Sequence, residues 1–194
     1  MGINRLCSDA PLDNNPIQHF KEFMKEQARY KEAGEYDKWR FVGYALELDY
    51  SSATIITSDP YKIAVGGIPR NSLLIMVPRN YTELPLHFTL LRVLESAPTP
   101  LSREVQQTYF DLQKRSMPEL DVFTQSELQW GALKTEVLGM FYPNPENIEK
   151  IEFSSDINNF VSAHKYDLYA PSDDVLNVII NSMVPSENCF PIGK

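Results

Sequence analysis

Cysteine is scarce in this 194-residue chain, and the two that are present, Cys7 and Cys189, lie near opposite ends. Two cysteines make no disulfide framework, and their spacing matches no zinc motif. Long apolar runs are also missing, since none approaches the ~18–20 residues that cross a bilayer. The first residues lack the basic and apolar regions of a signal peptide. We therefore expect a cytoplasmic protein without membrane contact.

Recognisable catalytic motifs are absent as well. Gly66-Gly67 lacks the Gly-Lys-Ser/Thr ending of a phosphate-binding loop and precedes an apolar run, whereas such a loop precedes a helix. The chain contains no Gly-x-Ser-x-Gly, His-Glu-x-x-His or Cys-x-x-Cys pattern. We predict no catalytic, cofactor-binding or metal-binding residues in these 194 positions.

Histidine is limited to His19, His87 and His164. The most site-like is His164, within Ser162-Ala163-His164-Lys165-Tyr166. A lone histidine is more often structural or solvated than catalytic. An enzyme that uses His164 or Cys189 with an acidic partner is accordingly a minor alternative.

Basic residues are sparse towards the end of the chain. Residues 119–194 hold 12 acidic and 4 basic side chains, whereas residues 1–118 hold 14 of each. The excess in this last part accounts for the net charge of -8. Nucleic-acid binding needs clustered lysine and arginine. We expect any contact with DNA to depend on another segment or a partner.

What the chain does contain is a series of short strand-like segments separated by Pro, Gly, Asn and Ser turns. Such segments are typical of a small barrel or sandwich. The candidates are Trp39 to Leu48, Ala53 to Thr57, Leu73 to Val77, Phe88 to Leu94, Ala132 to Tyr142 and Ile148 to Phe153. The predicted fold is mainly β with helical additions (α+β), built on a small closed β-barrel.

Three helices are predicted around this barrel. The first follows Pro16, with one apolar face formed by Ile17, Phe20, Met24 and Ala28. This face fits packing on its own domain or docking on a partner. An inserted helix runs from Ser102 to about Ser116, with Val105, Tyr109 and Leu112 on one face, and a last helix begins at Pro171-Ser172.

The most particular segment runs from Thr57 to Ser72. It joins a β-branched run to an apolar run and contains Asp59-Pro60-Tyr61-Lys62 and Val65-Gly66-Gly67-Ile68-Pro69-Arg70. Glycine permits positive φ or a close backbone approach, and proline limits flexibility on either side. Tyrosine and arginine are enriched at binding hot spots. We predict a rigid loop at the mouth of the barrel.

Several segments, in this order, resemble the N-terminal HAS barrel of HerA-type ATPases. The resembling segments are Val42 to Leu48, Thr57 to Ser72, Leu90 to Leu94, Val137 to Tyr142 and Ser162 to Tyr166. The most specific pieces are Asp59-Pro60-Tyr61-Lys62 and Val65-Gly66-Gly67-Ile68-Pro69. The resemblance covers roughly residues 39–184.

The resemblance implies a domain organisation and a role. Residues 1–38 would be an N-terminal extension, residues 39–184 the barrel, and residues 185–194 a linker towards an absent motor domain. The barrel would be a non-catalytic assembly and docking domain of a hexameric ATP-dependent DNA translocase. ATP and Mg would belong only to the motor, and DNA would be contacted only through the parent ring.

The implied partners are copies of the same chain, expected to form a hexamer, and an effector such as a nuclease or a sirtuin-like NADase, in antiphage defence. The predicted interface residues are Asp59, Tyr61, Lys62, Gly66, Gly67, Pro69 and Arg70. The opposing interpretation is that this loop closes its own barrel, with Tyr61 packed inside. A second alternative is a self-contained OB-like barrel that binds a small molecule or single-stranded nucleic acid.

Overall fold

The computed structural model describes residues 40–79, 86–100, 102–114, 122–144, 151–158 and 161–172, together with positions 175, 176 and 179. The helix predicted after Pro16 and the linker predicted at 185–194 lie outside these residues. The described strands are β1 Phe41–Leu48, β2 Ser52–Ser58, β3 Leu73–Pro78, β4 Phe88–Ala97, β5 Trp130–Pro143, β6 Ile151–Ser154 and β7 Tyr166–Tyr169. The described helices are α1 Asp59–Ala64, α2 Ser102–Lys114 and α3 Val122–Leu128, with a 3-10 turn at Ala163–Lys165.

Six of the strands form a closed antiparallel barrel. Their hydrogen-bonded order is β2-β1-β7-β3-β4-β5, and β5 pairs back with β2. This last pairing joins Ser52–Ser58 to Trp130–Glu136 in unbroken register. Closure leaves none of the six strands as an edge over its paired length. The predicted fold class, a mainly β α+β protein with a small closed barrel, is confirmed.

The barrel interior is filled by apolar side chains. Every strand of the barrel contributes to a buried core made of Val42, Ala45, Ala53, Ile55, Leu74, Met76, Leu91, Val93, Leu133, Tyr166 and Leu168. Two buried hydroxyls are satisfied by strand carbonyls, with Thr57 Oγ1 donating to Val42 O at 2.7 Å and Thr135 Oγ1 to Ala53 O at 2.9 Å. A small barrel packed in this way has its hydrophobic core where a larger one has its ligand cavity.

A second core covers part of the outside of the barrel. It consists of Ile75, Val77, Phe88, Leu90, Phe141, Tyr169 and Ile179. These residues alternate along β3, β4 and β7 with those that point inwards, as strand geometry requires. Phe88 and Phe141 stack in parallel with their centroids 4.7 Å apart.

The C-terminal segment reaches this outer core. Val175 N donates to Ser172 Oγ at 3.3 Å, and Leu176 N donates to Ser172 O at 2.9 Å, which is the pattern of a helix start. Positions 175, 176 and 179 are helical, and Val175 and Ile179 pack on the outer core. These three positions agree with the helix predicted to begin at Pro171-Ser172.

The barrel has two distinct ends. At one end, which we call the helical end, β2 leads into α1, and the chain between β4 and β5 contains α2 and α3. The register places the starts of β1, β3 and β5 at this same end. At the other end, the hairpin end, a tight turn joins β1 to β2, with Asp49 N donating to Ser52 O at 2.8 Å.

We expect the ion pair between Arg79 and Asp167 to stabilise the fold. Arg79 Nε lies 2.9 Å from a carboxylate that is only 3% exposed, and its guanidinium lies 4.9 Å from the Tyr44 ring centroid. Arg79→Met should lower the free energy of unfolding by about 2 kcal/mol, because a buried charge loses its counter-ion. Urea titration of the full chain measures this change.

Arg92 supplies a matched control. Its Nε lies 3.0 Å from Glu136 Oε2, but the two side chains are 44% and 41% exposed. Arg92→Met should cost less than about 1 kcal/mol, since water already screens this pair. If Arg79→Met and Arg92→Met lowered the free energy of unfolding equally, burial of the carboxylate would not be what makes the Arg79 pair important.

Candidate docking surface

The segment between β2 and β3 forms a helix and a turn at the helical end of the barrel. The sequence predicted a loop over this whole segment, which is wrong for Asp59–Ala64, because these residues form α1. Its start combines an extended Ser58 with Pro60 in the first turn, an arrangement that suits a helix N-terminus. Asp59 N donates to Gln129 O at 3.0 Å, which ties α1 to the start of β5.

The double glycine ends α1. Gly67 N donates to Lys62 O at 2.7 Å, and Gly66 N donates to Ile63 O at 3.0 Å. This pair of hydrogen bonds is the Schellman motif, which needs a left-handed residue directly after the helix. Gly66 and Gly67 have φ values of 81° and 95°, so positive φ is the one of the two proposed reasons for glycine that applies here. No atom lies within 4 Å of a Cβ built on either glycine, so the backbone conformation, and not crowding within the chain, favours glycine here.

The rest of the segment is held by a tight turn. Ser72 N donates to Pro69 O at 3.2 Å, and Asn71 has a φ of 68°, which asparagine tolerates better than most residues. Asn71 N donates to Val93 O at 2.8 Å, and Val93 N donates to Ser72 O at 3.0 Å. The turn is thereby fixed to Val93 of β4.

Tyr61 lies inside this segment, with 9% of its surface exposed. Its ring makes an edge-to-face contact with Phe41 at 4.8 Å and a second with Trp130 at 6.3 Å. Val65 and Ile68 also pack on the interior core. The assignment of Tyr61 as an exposed interface residue is therefore corrected, because this side chain anchors the segment to its own barrel.

The other predicted interface residues face outwards to different extents. Asp59, Gly66, Gly67, Pro69 and Arg70 are exposed. Lys62 is half-buried, and its Nζ lies 2.6 Å from Asp59 Oδ1 in a pair whose side chains are 34% and 53% exposed. Their role as an interface stays a prediction.

Sequence reasoning missed the most exposed apolar residue of the segment, Ile63. It is 77% exposed. Tyr61 and Val65 are four residues apart and face the barrel together, so helical geometry turns Ile63 to the opposite side. The exposure of Ile63 follows from its position between Tyr61 and Val65, but only if this segment is predicted to be a helix. We call Ile63, Pro69 and Arg70, together with the two glycines, the α1 surface.

The histidines and cysteines considered as candidates for catalysis or metal binding are dispersed. His87 is buried, with Nε2 3.4 Å from Tyr166 Oη, whereas His164 is exposed in the 3-10 turn. His19, Cys7 and Cys189 lie outside the described residues. Within the described ranges, no group of three or more His, Cys, Asp or Glu side chains is placed to hold a metal ion.

A search for helices that could span a bilayer, restricted to the described residues, found none of sufficient length and apolar character. Comparison of the chain with protein-family models and with curated proteins found no match.

Proposed function

We propose that this chain is a non-catalytic docking and assembly barrel. The observation that carries the proposal is that Ile63 is 77% exposed on a segment whose two ends are hydrogen-bonded to the barrel, through Asp59 N to Gln129 O and through Asn71 N to Val93 O. The Schellman motif and the turn bonded to β4 hold the segment in place. A partner therefore meets an apolar side chain without having to order a loop, which lowers the cost of binding.

The filled interior supports the same function. Eleven buried side chains occupy the barrel, and they include Ile55, Leu91 and Tyr166 with exposures of 0–1%. Such an interior favours recognition by surface loops over recognition by an enclosed cavity. Docking on an outer surface is therefore the use of this barrel that its packing favours.

We further propose that the barrel belongs to a HerA-like hexameric DNA translocase, as its HAS-type collar. The two most specific resembling segments, Asp59–Lys62 and Val65–Pro69, form one structural unit, a helix and its C-terminal cap. In the proposed role, this unit contacts a neighbouring barrel or an effector such as a nuclease or a sirtuin-like NADase, in antiphage defence. The ATPase chemistry and the contacts with DNA belong to the motor domain and the parent ring.

The experiment is to measure the mass of the full chain by size-exclusion chromatography with light scattering. Mass should rise with protein concentration, since association follows mass action. Repeating the measurement with a candidate effector tests docking. A chain that stays monomeric, and whose removal from a parent translocase leaves assembly and effector binding intact, would disprove the proposal.

Arg70→Glu should weaken self-association or effector binding without loss of thermal stability. Arg70 is exposed, and no ion pair or side-chain hydrogen bond joins it to the described residues, so charge reversal acts on the surface and not on the core. We expect a change in melting temperature of less than about 3 °C. A large drop in melting temperature would show instead that Arg70 is structural.

The OB-like alternative makes a different prediction. A barrel that binds single-stranded nucleic acid retains a labelled oligonucleotide in a salt-dependent manner. The chain carries a net charge of -8, which opposes such binding. Retention at physiological salt, with no self-association, would favour this alternative over the docking function.

A further inference from the structure

One side of α2 carries an exposed aromatic ring between two cations. Phe110 follows Arg103 by about two helical turns and Lys114 follows Arg103 by about three, so the three side chains form a single stripe. Phe110 is 61% exposed, and Arg103 and Lys114 are exposed as well. Within the described part of the chain, neither cation forms an ion pair. We call these three residues the α2 stripe.

The α2 stripe is not the side that holds the helix in place. Val105 and Leu112 are the half-buried apolar residues of α2, and helical geometry places them nearly opposite Phe110. The helix thus keeps one apolar side for its own packing and turns Phe110 away. Exposed aromatic rings and arginine are enriched at binding surfaces, and Phe110 and Arg103 supply one of each.

The turn between β1 and β2 offers the complementary chemistry. Tyr50 is 68% exposed and Leu46 is 38% exposed. Between them in sequence lie the exposed carboxylates of Glu47 and Asp49. Glu47 Oε2 accepts a hydrogen bond from Thr54 Oγ1 at 3.4 Å, and Asp49 Oδ1 accepts one from Tyr50 N at 2.7 Å. Among the described residues neither carboxylate forms an ion pair, so each keeps an unneutralised charge. We call Leu46, Glu47, Asp49 and Tyr50 the hairpin tip.

The two surfaces lie at opposite ends of the barrel. The α2 stripe is on the helix that follows β4 at the helical end, and the hairpin tip is at the hairpin end. A single copy therefore cannot bring its own α2 stripe and hairpin tip together. A second copy can, with cations facing carboxylates and Phe110 facing Tyr50 and Leu46.

We propose that the α2 stripe of one copy binds the hairpin tip of the next in a head-to-tail contact. This inference rests on the proposed assembly function and names the surfaces that perform it. When two copies join through two different surfaces, the pair still has one free α2 stripe and one free hairpin tip, so further copies can add. The assembly becomes a ring if the rotation between neighbouring copies brings the last copy back to the first, and an open chain if it does not.

A second copy fits the α2 stripe better than a nucleic acid does. An aromatic ring with two cations would also suit a phosphate backbone with a stacked base. A phosphate backbone needs clustered cations, however, and α2 carries Glu104 and Asp111 as well as the two cations of the stripe. Two cations on one side of the helix match the two carboxylates of another copy's hairpin tip, Glu47 and Asp49.

The test is sedimentation velocity on the full-length chain and on two single variants. Phe110→Ser removes the ring from the α2 stripe, and Tyr50→Ser removes the ring from the hairpin tip. Each variant should raise the dissociation constant for self-association by at least about tenfold. Raising the salt concentration from 0.1 to 1 M should weaken the wild-type contact, because screening then acts within about 3 Å.

Mixing the two variants tests the head-to-tail geometry. The Phe110→Ser variant retains an intact hairpin tip, and the Tyr50→Ser variant retains an intact α2 stripe. An equimolar mixture should therefore recover wild-type affinity but stop at heterodimers. A symmetric contact between two copies of α2 would not recover on mixing, and that result would overturn the proposal.

Tyr109→Ser is the matched control, since Tyr109 is a 41% exposed aromatic on another side of the same helix. Its dissociation constant should stay within about threefold of the wild type, and the melting temperature of each variant within about 3 °C.

The remaining outcomes also decide the matter. Wild-type association with no effect of Phe110→Ser or Tyr50→Ser overturns this contact and leaves the proposed assembly function standing. A wild type that is monomeric at every concentration removes both. Loss of oligonucleotide binding in Phe110→Ser, with self-association unchanged, would reassign the α2 stripe to nucleic acid.

Discussion

Gly43→Ala should destabilise the barrel by about 3 kcal/mol or more. A Cβ built on Gly43 lies 2.0 Å from Ile56 O and 3.2 Å from Thr57 Cα, and both of these are backbone atoms. The position is confined on both sides, because Gly43 pairs with Thr57 of β2 and with Leu168 of β7. The added methyl group must therefore push β1 away from β2, while β7 confines β1 on its other side.

Urea unfolding followed by circular dichroism measures the effect, and the slope should match that of the wild type if folding stays two-state. Gly131→Ala is the control, since it also lies in a barrel strand but its Cβ would meet only Lys62 Nζ at 3.8 Å. It should change the free energy of unfolding by less than about 1 kcal/mol. Similar losses at both positions would show that loss of glycine in a strand, and not the contact with Ile56, is the cause.

Tyr61→Ala should cost about 3 kcal/mol, because it removes a buried aromatic ring from contact with Phe41 and Trp130. The loss of α1 as a supported helix should follow, since Tyr61 is its only buried residue. Thermal unfolding gives the stability, and hydrogen exchange at the Gly66 and Gly67 amides reports whether the Schellman motif still forms.

Ile63→Ala separates the anchor from the α1 surface. Ile63 is already 77% exposed to water, so the substitution should lower the free energy of unfolding by less than about 0.5 kcal/mol. If the proposed docking function is right, the same variant should weaken association clearly. If Tyr61→Ala left the free energy of unfolding unchanged, or if Ile63→Ala lowered it strongly, the assignment of Tyr61 as the buried anchor and of Ile63 as a surface residue would be wrong.

Most of the barrel could be predicted from the sequence because its strands carry the usual signals. The predicted segments Leu73 to Val77 and Phe88 to Leu94 are mostly apolar, and they correspond to β3 and β4, which extend to Pro78 and Ala97. The long β5 was also predicted, although its start at Trp130 and its end at Pro143 extend beyond the predicted limits. The order of apolar and polar residues predicts these strands because each of them buries several apolar side chains.

The strand β7, between β1 and β3, could not be predicted in the same way. Tyr166–Tyr169 has only four residues, and all four are buried, so no alternation between apolar and polar positions appears. Asp167 also gives the segment a polar appearance. The charge of its buried carboxylate is matched by Arg79, which lies 88 positions away and reaches Asp167 from the end of β3. A tertiary ion pair of this kind leaves no local signal.

Only part of the backbone of the candidate site was predictable from the sequence, and the orientation of its side chains was not. The positive φ values of Gly66 and Gly67 followed from their residue type. The helix before them was hidden by Asp59-Pro60, which resembles a turn when the contact of Asp59 N with Gln129 O is unknown. Without that helix, Tyr61 and Ile63 could not be assigned to opposite sides.

The position of β7 also has a consequence during biosynthesis. This strand lies between β1 and β3 but is the last strand of the described chain to leave the ribosome. Until it emerges, β1 and β3 each keep an open edge that can pair with another nascent chain. Mutations that slow the docking of Tyr166–Tyr169 should therefore lower the soluble yield in cells more than they lower the equilibrium stability of the purified protein.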